Sequence, residues 1–590
     1  MSASRPSYDE GTSAKEANEK GSSASATELE YVDEAAAGAT PPTARANLNG
    51  TEGRLHRRIT PGQISMIALG GSIGTGLTIG TGGGLATSGP VSLTLGFLFM
   101  GIICYAVMAA LAEMGTYMPH DRGFPGYATQ FVSPELGFAV GWAYYLKYTL
   151  AQANNLNAAA YIIEFWSPGV NGGVWIAICL CLMVTINYFG AKSFGRVEYL
   201  LGWVKVATMA MLICINIVLF FGGGPTHDRI GFRNWTNGTA FLEFKAKGAA
   251  GRFLGFWQAL GSGLYAYMGT ELLSIAVGEA ANPRKAVPSA IKKTVFRITF
   301  FYIFNVALLG LVVPARDPLL RAANKAKLSA TASPFVVALE IAKIKGLPHL
   351  LNALFLFFVV SAAISDQYIA IRTLYSLSAT GQAPAVFSRT NRRGMPMWSL
   401  LASSLISCVA FINVASGGAK LFKYFVSSLT IIAALAWISI LTTYLRFHHC
   451  LRVQNVSRAT LPYRAPLQPY LSWVALSVTA LVMISRGWVA FVPWDHVTFI
   501  LTYIGLAWFL VMLVAYKLVM RSKIVPARLV DLTPPELIDD YAQDDDDNGA
   551  GQDGGAGRAL TRALPAKAAT LARRVLHRKG QGEKTDPAVL

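Results

Sequence analysis

The stretch Ile64–Gly80, ISMIALGGSIGTGLTIG, is apolar enough to enter a membrane yet too rich in glycine to cross it as one unbroken helix. Glycines at 70, 71, 74 and 76 fall where a spanning helix should be strongest. Each weakens a helix interior by about 1 kcal/mol relative to Ala. A bilayer tolerates a broken helix only where the freed backbone is buried in protein or faces a cavity. Freed N–H groups at such a break can hold an anion such as a carboxylate. The stretch therefore reads as a substrate site halfway across a membrane.

The rest of the chain agrees with a membrane setting. Of 590 residues, 53% are hydrophobic and only 14% charged, against about 25% charged in soluble domains. A spanning helix needs about 20 mostly apolar residues. Twelve segments qualify, near 62–87, 91–114, 135–165, 174–189, 198–221, 253–277, 294–314, 349–378, 398–415, 424–446, 470–488 and 497–517. The third and eighth look longer than one crossing, which implies tilt or extension beyond the bilayer. The expected fold class is an all-α integral membrane protein with twelve transmembrane helices. The net charge of +18 reads as basic loops beside anionic lipid headgroups rather than as a nucleic-acid surface. All six cysteines (104, 179, 181, 214, 408 and 450) lie in or beside apolar segments without metal-ligand spacing. They read as small buried hydrophobes, with no metal and no structural disulfide expected.

An even number of spans puts both ends on one side, and the positive-inside rule assigns that side to the cytosol. Arg54, Arg57 and Arg58 precede the first span; Lys517, Arg521, Lys523 and Arg528 follow the last. The plan is a disordered cytosolic tail over 1–58, a membrane domain over 59–520 and a cytosolic tail over 521–590. The first 58 residues are polar and lack the apolar core of a signal peptide. The second tail opens on an acidic run, Asp539 to Asp547, then turns basic. That basic stretch reads either as lying on the anionic inner leaflet or as solvated. Lys15 and Lys20 are candidate ubiquitin acceptors, so ubiquitin-ligase adaptors are conceivable partners of the tails. Asn234-Trp235-Thr236 and Asn237-Gly238-Thr239 are glycosylation sequons in an expected outer loop.

The sixth span repeats the peculiarity of the first. Phe253–Glu271 carries mid-membrane glycines at 261, 263 and 269 and a carboxylate at 271. Either segment alone reads equally as a close-packing helix. Two of them, each opening a presumed five-helix unit, fit a five-plus-five inverted repeat with the site where the repeats meet. A half-helix N-terminus offers N–H donors and a positive dipole end. Unwound carbonyls suit an ammonium group. A zwitterion with both groups on one carbon, an α-amino acid, matches both.

Several motifs then resemble one family. They are Gly70–Gly76 (GGSIGTG), Glu113–Pro119, Gly269-Thr270-Glu271, Gly278–Pro288 (GEAANPRKAVP), Arg372–Tyr375 and Gly381–Pro384. Over about Arg57 to Lys517 the chain resembles the fungal amino-acid permeases of the amino acid–polyamine–organocation superfamily. The resemblance implies the bacterial leucine-transporter fold with helices 1 and 6 broken. It also implies proton-coupled uptake at the plasma membrane, with no cofactor.

The resemblance assigns the substrate carboxylate to backbone N–H groups of Ser72, Ile73, Gly74, Thr75 and Gly76, with Gly71 beside them. It assigns the amino group to carbonyls near Gly70 and Gly71 and to those of Tyr265, Ala266 and Met268, with Gly269 at the break. Tyr265 or Tyr267 would close over the substrate. Lys205 is an ionisable group inside the fifth span, a functional candidate by default. Burial disfavours its charged form, which suits a group that gains and loses a proton each cycle; a purely structural pairing is the alternative. Glu113 is a second proton-coupling candidate, or a partner of Arg122 or of a backbone group. Glu271 either holds the second break or relays a proton, and Asp366 can do similar work. Glu279, Arg284 and Lys285 read as a charged gate or a solvated loop.

Substrate choice is read from the third span, Lys147–Ala160. Many relatives have a Glu here; this chain offers Gln152, Asn154, Asn155 and Asn157. A lysine or arginine pocket would want a carboxylate against the cost of burying the cation. Gln152 and Asn155 are therefore candidate substrate ligands. This stretch and the loop Gly222–Arg233 resemble the fungal dicarboxylic amino-acid permease branch, although the family's usual proline–asparagine pair is Ala153-Asn154 here. Acidic, or neutral plus acidic, amino acids are the expected substrates. A sensor that binds but hardly transports is the alternative. An enzyme finds no support: the eight His are scattered, and neither a nucleophile elbow nor a phosphate loop is present.

Overall fold

The computed structural model describes residues 66, 73–120, 122–236, 238–272, 283–325, 333–391, 394–412 and 419–533. Among them, helices fall on all twelve expected segments. α1 is in two pieces, Thr75–Thr78 and Gly80–Ser88. It is followed by α2 (Pro90–Tyr117), α3 (Pro134–Glu164), α4 (Gly172–Tyr188), α5 (Ala191–Phe220) and α6 (Gly248–Tyr267). α7 runs through Pro283–Phe296, a wider π-helical stretch Arg297–Phe304, and Asn305–Val312. α8 (Leu347–Ala379), α9 (Met397–Phe411), α10 (Ala419–Val453), α11 (Tyr470–Ala490) and α12 (His496–Met520) complete the bundle. Local chemistry sets several starts. Ser133 and Asp495 accept backbone N–H bonds at the N-termini of α3 and α12. Proline opens α2, α3 and α8, where its missing N–H costs nothing.

α3, α8 and α10 have 31, 33 and 35 residues. At about 1.5 Å per residue each exceeds a hydrocarbon core of about 30 Å. Extension was expected for the third and eighth spans. For the tenth it was missed, because the apolar run fades at Leu445-Arg446-Phe447-His448. The helix continues because protein surrounds it there. Phe447 and Cys450 are fully buried, and the Phe447 ring lies 6.0 Å from Tyr117 and 5.1 Å from Phe131.

Polarity sorts the helices from centre to rim. α3 carries Lys147, Gln152, Asn154, Asn155 and Asn157, all buried. It packs along α8, while α6 packs along α2 so closely that a Cβ on Gly96 would sit 2.8 Å from the Ala259 carbonyl carbon. α11 and α12 turn Tyr470, Trp473, Ile484, Ile500, Val511 and Leu518 outward. Unbroken apolar faces stand at the rim, where a bilayer can solvate them, and amides and glycines stand inside.

Two expectations change. Residues 521–532, assigned to a tail, lie along the helix ends. Val525 N–H donates to the Val132 carbonyl at 3.1 Å. The Val525 carbonyl accepts from Arg446, and the Tyr117 hydroxyl donates to the Leu532 carbonyl at 3.0 Å. Val530 and Leu532 are buried, so the small apolar run after α12 was the overlooked signal. Asn234, the first sequon asparagine, is buried, and its amide donates to the Leu311 carbonyl at 2.7 Å. That amide is committed inside the fold rather than offered to a glycan. Asn237, like the tails 1–58 and 534–590, lies outside the described residues.

In the turn after α2, the His120 Nδ1 accepts from the Arg122 N–H at 3.1 Å, and its ring meets Tyr127 edge-on at 5.7 Å. Burial, and then the Arg122 charge, push its pKa down from 6.5 to about 4. The unfolded chain therefore binds this proton more readily, and the stability tied to neutral His120 is full above pH 6.5 and lost as pH falls through about 4. Thermal unfolding of the detergent-solubilised protein should show a smaller drop between pH 7 and acid conditions for His120→Gln than for the parent. Equal drops would show that His120 carries none of the acid sensitivity.

Candidate functional site

Both expected breaks are visible where the chain is described. Gly74, just before α1, is extended (φ −141°, ψ −151°), and no side chain caps the helix behind it. α6 stops at Tyr267; Met268 is extended in ψ (138°), and Gly269 has φ +92°, a conformation that Gly adopts readily. A single 3₁₀ turn, Thr270–Leu272, follows. The two breaks touch backbone to backbone. A Cβ on Gly76 would meet the Ala266 Cα at 2.8 Å and the Tyr265 carbonyl oxygen at 3.1 Å. A Cβ on Gly74 would lie 3.3 Å from the Ala362 Cβ of α8. Gly74, Gly76, Met268 and Gly269 keep some exposure, while Ile73, Thr75, Leu77, Tyr265, Ala266 and Tyr267 are buried. Both breaks thus keep some accessible surface.

A hydrogen-bond chain runs beside the breaks in one direction. Asn154 Nδ2 donates to the Tyr265 hydroxyl at 3.0 Å. Tyr265 and the Thr75 hydroxyl lie 3.2 Å apart, and Thr75 donates to Asn155 Oδ1 at 3.1 Å. Thr75 has one proton, so the Tyr265 hydroxyl donates to Thr75. Asn155 Nδ2 then donates to Asp366 Oδ2 at 2.7 Å. The chain links α6, α1, α3 and α8 and ends on a carboxylate. Ala151, Phe425 and Leu429 pack with Tyr265 beside it.

Two fully buried ion pairs and a third, half-buried one fix the surrounding helices. Lys147 pairs with Glu271, and both side chains are fully buried. Glu271 Oε2 also accepts from Gly269 N–H and from Trp437 Nε1, each at 3.2 Å. The Lys147 ammonium sits 4.6 Å from the Tyr148 ring centre. Glu271 therefore ties the second break to α3 and α10, which is the holding role among its expected alternatives. Lys205 Nζ lies 3.4 Å from Glu198 Oε1, two turns back on α5, and Glu198 Oε2 accepts from Ser361 at 2.6 Å. Glu113 is gripped bidentately by Arg458 at 2.6 and 2.8 Å and accepts from the Ala465 N–H at 3.1 Å. Its cation is Arg458, 345 positions away, and not Arg122. Spacing within the second span could not show that partner.

Other expected site residues go elsewhere. Gln152 donates to the Ser403 carbonyl of α9 at 2.9 Å, outside the Tyr265 chain. Tyr267 donates to the Phe97 carbonyl at 3.1 Å and stacks on Tyr302, so Tyr265 is the aromatic at the break. Gly70, Gly71, Ser72 and Glu279 lie outside the described residues, and of Arg284 and Lys285 only the helical backbone is described. Lys147 and Glu198 received no role from the sequence, and Asn154 was counted only among the neutral donors of the third span. Their signal was present in each case: an amide or ionisable group inside a span.

A model of the amino acid permease family matches residues 63–526. The chain belongs to the amino acid permease family. It is 42% identical to the dicarboxylic amino acid permease of Saccharomyces cerevisiae over 493 residues, 82% of this chain and 81% of that one. It is 36% identical to the basic amino-acid permease of the same yeast, over 80% of this chain and 82% of the relative. It is also 36% identical to a proline-specific permease of Emericella nidulans, over 79% and 86%. Among solved structures, a manganese transporter of Eremococcus coleocola superposes with a TM-score of 0.50 at 12% identity, covering 81% of this chain and 98% of that one. That likeness concerns the fold: an all-α transporter with the five-plus-five repeat and its broken first and sixth helices. This permease is thus a multi-pass membrane protein that transports amino acids.

Two substitutions test the geometry. Tyr265→Phe removes the hydroxyl shared by Asn154 and Thr75, which should raise the apparent KM for the transported amino acid about tenfold, the effect of roughly 1.4 kcal/mol. An unchanged KM would take the hydrogen-bond chain out of the site. Arg458→Ala strands the buried Glu113 carboxylate at a cost of about 3 kcal/mol, so folded protein in membranes should fall. Adding Glu113→Gln should restore much of it; no rescue would show that the ion pair is not the reason.

Proposed function

We propose that this permease takes up L-amino acids across the plasma membrane together with protons, preferring acidic or neutral-plus-acidic substrates, with both tails cytosolic. The observation that carries the reading is the pair of partly exposed breaks, Gly74–Gly76 and Met268–Gly269, with Thr75, Asn154, Asn155 and Tyr265 joined in a neutral hydrogen-bond chain beside them. Freed N–H groups at Ile73, Gly74, Thr75 and Gly76 suit the α-carboxylate, and the Tyr265, Ala266 and Met268 carbonyls suit the ammonium. Identity to a dicarboxylic amino acid permease supports the acidic preference.

Charge balance supports proton coupling. An acidic amino acid carries a net negative charge, and each charge costs about 2.3 kcal/mol per 100 mV to move inward against a negative interior. One proton cancels that cost, and a second reverses its sign. Lys205 lies on α5 one turn after Gly202, where a Cβ would lie 3.4 Å from the Met66 Cβ, and it is the proton-coupling candidate carried by family likeness. Lys517, Arg521 and Lys523 at the end of α12 support cytosolic tails.

One observation favours a second reading. Asp366 puts a carboxylate beside Asn155, which a cationic side chain could use. Labelled glutamate uptake, competed by each of the twenty amino acids at two pH values with and without a protonophore, separates the readings. Aspartate should compete, arginine should not, and the protonophore should abolish accumulation. Accumulation indifferent to the protonophore would end the coupling proposal, and strong inhibition by arginine with none by aspartate would end the acidic one.

A further inference from the structure

Besides Arg297 of α7, which donates to the Thr270 hydroxyl, five ionisable side chains lie at the centre of the bundle: Lys147 on α3, Glu198 and Lys205 on α5, Glu271 after the second break, and Asp366 on α8. Four are spoken for. Lys147 is held by Glu271, and Lys205 lies against Glu198. All four are fully buried. Asp366 differs on both counts. No cation lies at ion-pair distance from it among the described residues; its hydrogen bond is the one from Asn155. It also keeps partial exposure, while its flanking neighbours Ser365 and Gln367 are buried. A carboxylate on a residue that is not sealed, with no cation in contact, is the member of such a group best placed to exchange a proton.

The position of Asp366 gives that exchange a consequence. Ala362, one turn earlier on α8, faces Gly74 at the first break. Asp366 is the acceptor that terminates the chain running from Asn154 through Tyr265, Thr75 and Asn155. Each donor in that chain is oriented by the acceptor beyond it, so the carboxylate sets the direction of every proton in it. A protonated Asp366 gains a donor of its own and weakens as an acceptor, which frees Asn155 and Thr75 to turn toward a substrate. The charged groups within electrostatic reach of Asp366 are Lys147 on α3 and Lys205 and Glu198 on α5. Tyr144 and Tyr148 of α3 and Tyr265 of α6 also face it.

We propose that Asp366 carries the transported proton, and that its protonation is read at the substrate site through Asn155, Thr75 and Tyr265. On this view the Lys205–Glu198 and Lys147–Glu271 pairs are fixed counter-charges. The inference rests on the proton-coupled reading above and changes which residue bears the proton. The proton enters from outside onto an Asp366 carboxylate oxygen and leaves that same oxygen to the cytosol; no other bond is made or broken.

The test uses the full chain, with its amount at the cell surface measured, and labelled glutamate as probe. A parent protein whose accumulation ignores the proton gradient would defeat the coupled reading and the inference with it. With a gradient-dependent parent, Asp366→Asn should lower accumulation at least about tenfold, the equivalent of one pH unit, and flatten its pH profile. Exchange of external labelled for internal unlabelled substrate should shift in KM with the altered hydrogen-bond chain but persist at saturating substrate, falling far less than accumulation does, since that half-cycle needs no net proton movement. Asp366→Glu should recover part of the accumulation. Accumulation retained by Asp366→Asn would overturn the proposal. So would loss of exchange at normal surface level, because Asp366 would then be holding the substrate itself. If Asp366→Asn fails to reach the membrane, Asn155→Leu decides. Removing the donor to the carboxylate should move the pH of half-maximal uptake upward by about one unit, and an unmoved midpoint would overturn the proposal.

Discussion

The architecture depends on the approach of one glycine to one stretch of backbone. Gly76 lies so near Ala266 that no side chain fits between them. This contact brings the two broken segments together and sets their breaks side by side. In water, such an approach would compete with solvation of the freed N–H and carbonyl groups. Inside a membrane there is little water to compete, so the break persists only where protein encloses it. The bundle supplies that enclosure through α3 and α8, the long central pair.

Around this contact the polar side chains divide the labour. Glu271 locks the segment after Gly269 to Lys147 and Trp437, so the second break has a fixed exit. Buried pairs of this kind contribute little net stability, because desolvation offsets the attraction. What they confer is geometry, since breaking one leaves a bare charge and costs several kcal/mol. Glu113 and Arg458 do the same between α2 and the segment ahead of α11. The neutral chain from Asn154 to Asp366 is softer, because hydroxyl and amide partners can be exchanged without stranding a charge. Rigid ion pairs around an adaptable neutral centre suit a site that must hold and release its cargo.

Much of this was legible in the chain of residues, for identifiable reasons. All twelve spans follow from apolar runs, and the breaks at Gly74 and Gly269 follow from glycine inside those runs. Tyr265, Thr75 and Asn155 converge as expected because broken helices and a polar third span have few other ways to be buried. Partner identity was less accessible. Glu113 meets Arg458 and Gln152 meets Ser403 through contacts hundreds of positions long, which no local spacing encodes. Tyr265 and Tyr267 could not be told apart, since two residues along a helix point to different sides and the sequence does not say which side is the centre. The α10 extension escaped because a helix surrounded by protein needs no apolar signature.

The segment from Ser522 to Leu532 gives the molecule an unusual handle. Its main chain is fastened to Val132, Arg446, Gln454 and Tyr117, which belong to α2, to α10 and to the stretch leading into α3. A strand moored to several rods at once registers any sliding among them. Relative sliding of those rods must therefore carry the strand with it or pull its main chain off one of its moorings.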